Sequence, residues 1–217
     1  MTLLRNNLII LLILLPVASL AATECIGPLK ANKFIVYLHG MDSISPSAQE
    51  LRNREILGDL AKDLNIRFAI PRATRACPTN SSQLCWTWAA KTSEDLLPVK
   101  KAITDAAKEC FLSKNYSVLG FSNGGVAVAA LLRLCEKVDY DSAIVVGAAG
   151  GWFSTDPKTI EGCYPKLILL LGSEDQANLK PVRSFVEHLT SLKAPISLVE
   201  YKGGHELIYE TLARLLK

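Results

Sequence analysis

Residues 120–125 read Gly-Phe-Ser-Asn-Gly-Gly. A serine with glycines two positions away on either side suits a tight strand-to-helix turn, where larger neighbours would collide across the bend. The context agrees: an apolar run precedes the turn and a run of small helix-forming residues follows it. Such a turn strains the serine backbone and holds Ser122 Oγ clear of the sheet edge. The helix that begins there directs its positive end at any anion formed on a substrate.

A serine hydroxyl is a weak nucleophile. It needs a general base, and the base needs a carboxylate to orient it. The chain has three histidines. His188 lies inside an expected amphipathic helix and reads as helix surface. His39 closes the first expected strand, just before Gly40. His205 follows Gly203-Gly204, directly after the last expected strand, and the glycines leave a ring free to swing over a neighbouring strand end. His205 is therefore assigned as the base. The acid should leave a strand end between serine and histidine. Residues 172–175 are Gly-Ser-Glu-Asp, with Asp175 as first choice and Glu174 in reserve.

The elements that must position these groups follow from hydrophobic pattern. Six apolar runs lie at 34–39, 67–70, 117–120, 143–147, 167–171 and 196–201, and several of them are rich in Val and Ile, lack polar alternation and end at a Gly or Pro. That is the signature of parallel strands buried on both faces. Helical periodicity fills 47–64, 93–111, 124–135, 179–192 and 205–216. Pro98 falls in the first turn of its helix or kinks it. Alternating strand and helix predict an α/β sandwich with right-handed crossovers. Residues 72–90 form the longest irregular stretch, and long loops in compact domains are often functional. No linker or repeat divides the chain, so one domain over 23–217 is expected.

Composition narrows the classes. Of 217 residues, 49% are hydrophobic and 21% charged, and the net charge is +3. This is ordinary globular composition, and so small a charge gives no reason to expect nucleic acid as a partner. Arg5, the apolar run 8–15, and small residues up to Ala22 describe a secretory signal peptide over 1–22, which places the mature chain in the periplasm or outside the cell. That run is short for a spanning helix, so no stable membrane span is expected after cleavage.

Six cysteines follow the leader. They show no metal-ligand spacing, so in an oxidising compartment structural disulfides are expected and no metal. Cys77 and Cys85 enclose a short loop and form the first expected pair. Cys110 and Cys135 sit near the ends of two neighbouring expected helices and form the second. Cys25 with Cys163 remains by elimination.

Taken together, Leu38-His39-Gly40-Met41, the Gly120–Gly125 run, Gly172-Ser173-Glu174-Asp175 and Gly204-His205 resemble the motifs of small α/β-hydrolases. The chain is similar to the dienelactone-hydrolase and phospholipase/carboxylesterase group. It also resembles secreted esterases of the polyhydroxybutyrate-depolymerase and feruloyl-esterase kind. The order Ser122, Asp175, His205 is that of the superfamily. The resemblance covers about residues 34 to 217 and implies a three-layer sandwich on a mostly parallel sheet of six or seven strands, without a large lid. It implies an oxyanion hole formed by the backbone N–H groups of Met41 and Asn123, with His39 a structural residue of the turn. Cys85-Trp86-Thr87-Trp88 resembles a segment of the secreted polymer esterases. Trp86 and Trp88 are accordingly expected to wall a substrate pocket, joined by Trp152, unless they pack in the core.

The activity implied is cleavage of small-molecule or polymer-borne carboxylic esters through an acyl-enzyme, without cofactor. A lysophospholipase or thioesterase is the alternative within catalysis. A serine peptidase would use the same groups, but its usual docking domain is missing. A non-catalytic binding protein is the alternative in class, because fold does not imply function.

Overall fold

The computed structural model describes residues 23–43, 46–73, 75–76, 85–88, 93–113, 115–133, 139–149 and 165–217. The expected leader, Cys77, Cys135, Cys163 and Trp152 lie outside them. In chain order the elements are β1 (Glu24–Ile26), β2 (Lys33–Leu38), β3 (Asp42–Ser43), α1 (Ala48–Asp63), β4 (Ile66–Ile70), β5 (Arg75–Ala76), β6 (Cys85–Thr87), α2 (Ser93–Cys110), β7 (Ser117–Phe121), α3 (Asn123–Arg133), β8 (Ser142–Val146), β9 (Lys166–Gly172), α4 (Gln176–Ser191), β10 (Ile196–Tyr201) and α5 (Tyr209–Leu216).

Seven strands form one sheet in the order β1-β4-β2-β7-β8-β9-β10. All neighbours pair parallel except β1, which runs antiparallel along β4. Buried strands alternate between two cores. From β2, Val36 and Leu38 enter the core under α2, α3 and α4, with Ile103, Val128 and Phe185. Ile35 and Tyr37 enter the opposite core under α1 and α5, with Leu57, Leu60 and Leu212. Each fully buried aliphatic side chain contributes about 1.5–3 kcal/mol, so both sheet faces need their helices. The chain leaves β2 for β4 on one side and returns to β7 on the other. The crevice beyond the carboxyl ends of β2 and β7 is therefore the switch point where open α/β sheets place ligands.

Local chemistry explains the helix starts. Ser47 caps α1 by accepting the Glu50 N–H at 3.1 Å. The Glu50 side chain turns inward, where it is 3% exposed and accepts from Tyr37 Oη at 3.1 Å. Asn53 Nδ2 donates to the same tyrosine oxygen at 3.0 Å.

Several expectations need correction. A helix over 205–216 was expected, but α5 begins only at Tyr209, because residues 203–206 are held in a loop by Tyr201. The stretch 72–90 is not wholly irregular: β5 and β6 pair antiparallel and join β3 in a three-stranded sheet. The edge strand β1 was too short to show a pattern.

The expected pairs Cys110–Cys135 and Cys25–Cys163 are overturned. Cys25 is bonded to Cys110, with Cα atoms 5.7 Å apart. The antiparallel register sets Cys25 opposite Ala69, and α2 ends at that same sheet edge. Arg67 joins the two segments, donating from Nε to Cys110 O at 2.6 Å and from its guanidinium to Gly27 O. The expected Cys77–Cys85 pair falls partly outside the described residues. Among the described residues, no helix is long and apolar enough to cross a membrane.

Candidate active site

Ser122 stands between β7 and α3 with φ +51°, a left-handed conformation uncommon outside glycine. Its N–H donates to Val146 O on β8 at 2.9 Å, and its carbonyl accepts the Val126 N–H at 2.9 Å, opening the helix. The flanking glycines are sterically required. A Cβ on Gly120 would lie 2.6 Å from Gly124 O, and one on Gly124 would lie 2.1 Å from Leu38 O. The second contact joins the serine turn to the end of β2. A Cβ on Gly40 would lie 3.5 Å from Ser122 Cβ, so the chain leaving β2 passes close beside the serine.

Asp175 follows β9, and its side chain is 4% exposed. Glu174, the reserve acid, is exposed. Asp175 Oδ2 lies 2.8 Å from His205 Nδ1. A carboxylate only accepts, so Nδ1 carries the proton and Nε2 keeps its lone pair for a substrate-side proton. The imidazole packs on Phe121, the residue before Ser122, with ring centroids 5.0 Å apart. This contact sets the histidine against the serine turn.

The histidine loop is fixed from several sides. Ser173 N–H donates to Tyr201 O and Glu174 N–H to Gly203 O, both at 2.8 Å. Gly172 permits this closeness, since a Cβ there would lie 2.2 Å from Gly204 O. Tyr201 Oη donates to Glu206 O at 2.7 Å and Gly204 O at 3.2 Å, bracketing His205. Burial pushes the Tyr201 hydroxyl pKa up to about 12, so it remains a donor through ordinary pH.

Two residues of this arrangement escaped the sequence reading. Gly147 follows β8 at φ +58°, and a Cβ there would come within 2.7 Å of His205 Nδ1. The only signal was a glycine after an apolar strand, which has many other uses. Asn178 Nδ2 lies 3.0 Å from each Asp175 carboxylate oxygen. Its position in the first turn of a helix after an acid carried no distinct signal.

The remaining candidates divide clearly. His39 is 2% exposed. Its Nδ1 donates to Gly40 O at 2.6 Å while Nε2 accepts the Ala73 N–H at 3.1 Å, so one nitrogen holds the turn and the other ties it to the chain leaving β4. Asn123 begins α3, where the first N–H groups have no acceptor within the helix. Its side-chain oxygen accepts from Trp88 N at 2.6 Å and Thr87 Oγ1 at 2.9 Å, tying β6 and the residue after it to the serine turn. Met41 follows Gly40 past β2, with its side chain 66% exposed.

Trp88 corrects the pocket-wall expectation. It is 2% exposed and part of the core, and its indole N–H donates to His39 O at 3.0 Å. A tryptophan buries fully when its N–H finds such a partner. The Trp86 side chain and Trp152 lie outside the described residues. His188 is in the last turn of α4. Among the described residues, no cluster of His, Cys, Asp and Glu is placed to hold a metal ion.

Neither a protein-family model nor a curated protein matches the sequence. Solved structures do match. The chain is similar to the Bacillus cereus carboxylesterase at 15% identity, with a TM-score of 0.63 over 92% of this chain and 93% of that one. It is similar to Zea mays acyl-protein thioesterase 2 at 16% identity, with a TM-score of 0.63 over 90% and 96%. It is also similar to esterase PE8 at 17% identity, with a TM-score of 0.62 over 90% and 97%. With the sheet order above, these likenesses identify the fold as that of the α/β-hydrolases.

Proposed function

We propose that this chain is an exported serine hydrolase that cleaves carboxylic esters through an acyl-enzyme. The observation that carries the reading is the buried Asp175 carboxylate 2.8 Å from His205 Nδ1, with that ring packed on the residue before a strained serine. Ser122 Oγ attacks the ester carbonyl as His205 Nε2 takes its proton. Asp175 holds the tautomer and steadies the imidazolium. The N–H groups of Met41 and Asn123 receive the oxyanion, a role in which each donor is worth about 10²–10³ in rate. The imidazolium protonates the departing alcohol. Water, deprotonated by the same histidine, then attacks the acyl-serine and releases the acid.

The similar proteins named as esterases favour an oxygen ester. The one named as an acyl-protein thioesterase keeps thioesters as the second reading, since the same groups would serve either leaving atom. Export rests on the leader-like pattern at 1–22 and on the Cys25–Cys110 bond, a feature of oxidising compartments.

The test is fluorophosphonate labelling of the mature protein, with the modified residue located by peptide mass spectrometry. Label on Ser122, abolished in a folded Ser122→Ala variant along with about 10⁴-fold or more of turnover, is the expected result. Absence of label on folded wild-type protein would refute the proposal and favour a binding protein on this fold. A panel of chromogenic esters and acyl thioesters of graded chain length separates the two catalytic readings.

A further inference from the structure

We infer that Asn178 is a positioning residue for the Asp175–His205 pair, fixing the rotation of the carboxylate so that one oxygen faces the imidazole. The inference rests on the reading of that pair as the acid and base of a serine hydrolase.

The argument begins with how α4 starts. Asp175 occupies the N-cap position, where an aspartate side chain ordinarily accepts a backbone N–H from the first helical turn. Here the side chain makes no capping bond. The Asp175 carbonyl accepts the N–H groups of Asn178 and Leu179, both at 3.0 Å, so the backbone begins the helix alone. The carboxylate is withdrawn from capping and turned to His205. Asn178, three residues on, meets it with its side chain, placing Nδ2 3.0 Å from both Oδ1 and Oδ2.

That geometry assigns the amide orientation. The reverse orientation would set the amide oxygen against two carboxylate oxygens, so the NH₂ end must face Asp175. A carboxylate this buried needs hydrogen-bond donors, and its χ2 rotation is intrinsically loose. A donor bridging both oxygens removes that freedom. The same Nδ2 lies 3.3 Å from His205 Nδ1. An amide NH₂ cannot accept the Nδ1 proton, so the carboxylate remains its acceptor, and in the neutral ring Nε2 is the nitrogen that carries the lone pair.

The experiment compares the wild-type chain with Asn178→Ala and Asn178→Asp. Asn178→Asp keeps the shape but replaces the donors with a second carboxylate. Steady-state kinetics use a short-chain p-nitrophenyl ester, and thermal unfolding is followed in parallel. Proton NMR follows the low-field His205 Nδ1–H resonance, assigned by its loss in His205→Gln.

The expected result is a kcat lowered by roughly tenfold or more in both variants, the scale of a lost hydrogen bond to a charged group, with KM little changed. The resonance should shift or broaden, and Asn178→Asp should be at least as damaging as Asn178→Ala. Wild-type kcat in Asn178→Asp would overturn the inference, because the donors would then be dispensable. A loss that tracks melting temperature while the resonance stays unmoved would also overturn it, leaving a packing role only. A resonance that moves in the Asn178 variants, where the wild-type protein shows neither turnover nor Ser122 label, would support the positioning role and refute the hydrolase reading.

Discussion

Replacing Gly147 by alanine tests whether the space around the imidazole is as tight as the structure makes it. The added Cβ would lie 2.7 Å from His205 Nδ1, 2.9 Å from Cε1 and 3.4 Å from Asp175 Oδ2. Ordinary contact between such atoms begins at about 3.5 Å, so the ring must retreat by roughly 0.8 Å from the 2.7 Å approach. The retreat stretches or tilts the 2.8 Å bond to Asp175. Misplacing a reacting group by about 1 Å can cost about 10²-fold in rate. The backbone contributes separately: φ is +58° at Gly147, and alanine in that region costs about 1–2 kcal/mol. Gly147→Ala should therefore remain folded, melt a few degrees lower, and lose about 10²-fold in kcat/KM on a chromogenic ester. An alanine variant with wild-type turnover would refute the placement of the imidazole against β8.

Other expectations concern stability. The Cys25–Cys110 bond closes a separation of 85 residues, so the loop-entropy model puts its contribution near ~4–5 kcal/mol. Cys25→Ser with Cys110→Ser should lower the urea midpoint accordingly, and an unchanged midpoint would show that β1 and α2 hold that edge without it. Burial raises the hydroxyl pKa of Tyr116 and of Tyr201 to about 12, and raises that of Tyr140 as well. Unfolded tyrosines ionise near ~10, so between there and about 12 the folded chain keeps protons that the unfolded chain loses. Stability should be flat with respect to these groups below pH ~10 and fall as pH rises through that window. Urea midpoints taken alongside tyrosinate absorbance test this, and a midpoint level across the window would refute it.

What could be read without coordinates was whatever a short stretch of chain encodes by itself. Gly120 and Gly124 announce the serine turn by their spacing, and a Cβ on Gly120 would clash locally with Gly124 O, whereas the space that Gly124 leaves is needed by Leu38 O at the end of β2. The apolar runs announce the parallel strands because burial on both faces leaves no polar alternation. Asp175 and His205 were legible as candidates because each follows an apolar strand by only a few residues.

The remaining features were decided by packing between distant segments. Sequence ranked Asp175 ahead of Glu174 without separating two adjacent acids by their surroundings. The fold buries Asp175 beside His205 and leaves Glu174 exposed. Cys25 meets Cys110 because β1 pairs antiparallel with β4 at the edge where α2 ends. Trp88 is a core residue because its indole finds a carbonyl 49 positions away. Gly147 and Asn178 matter because a ring from residue 205 rests against them. Turns and strand burial depend on neighbours along the chain, which the sequence states directly. Pairings across the sheet depend on which surfaces meet after every element has packed, and only the tertiary structure determines that.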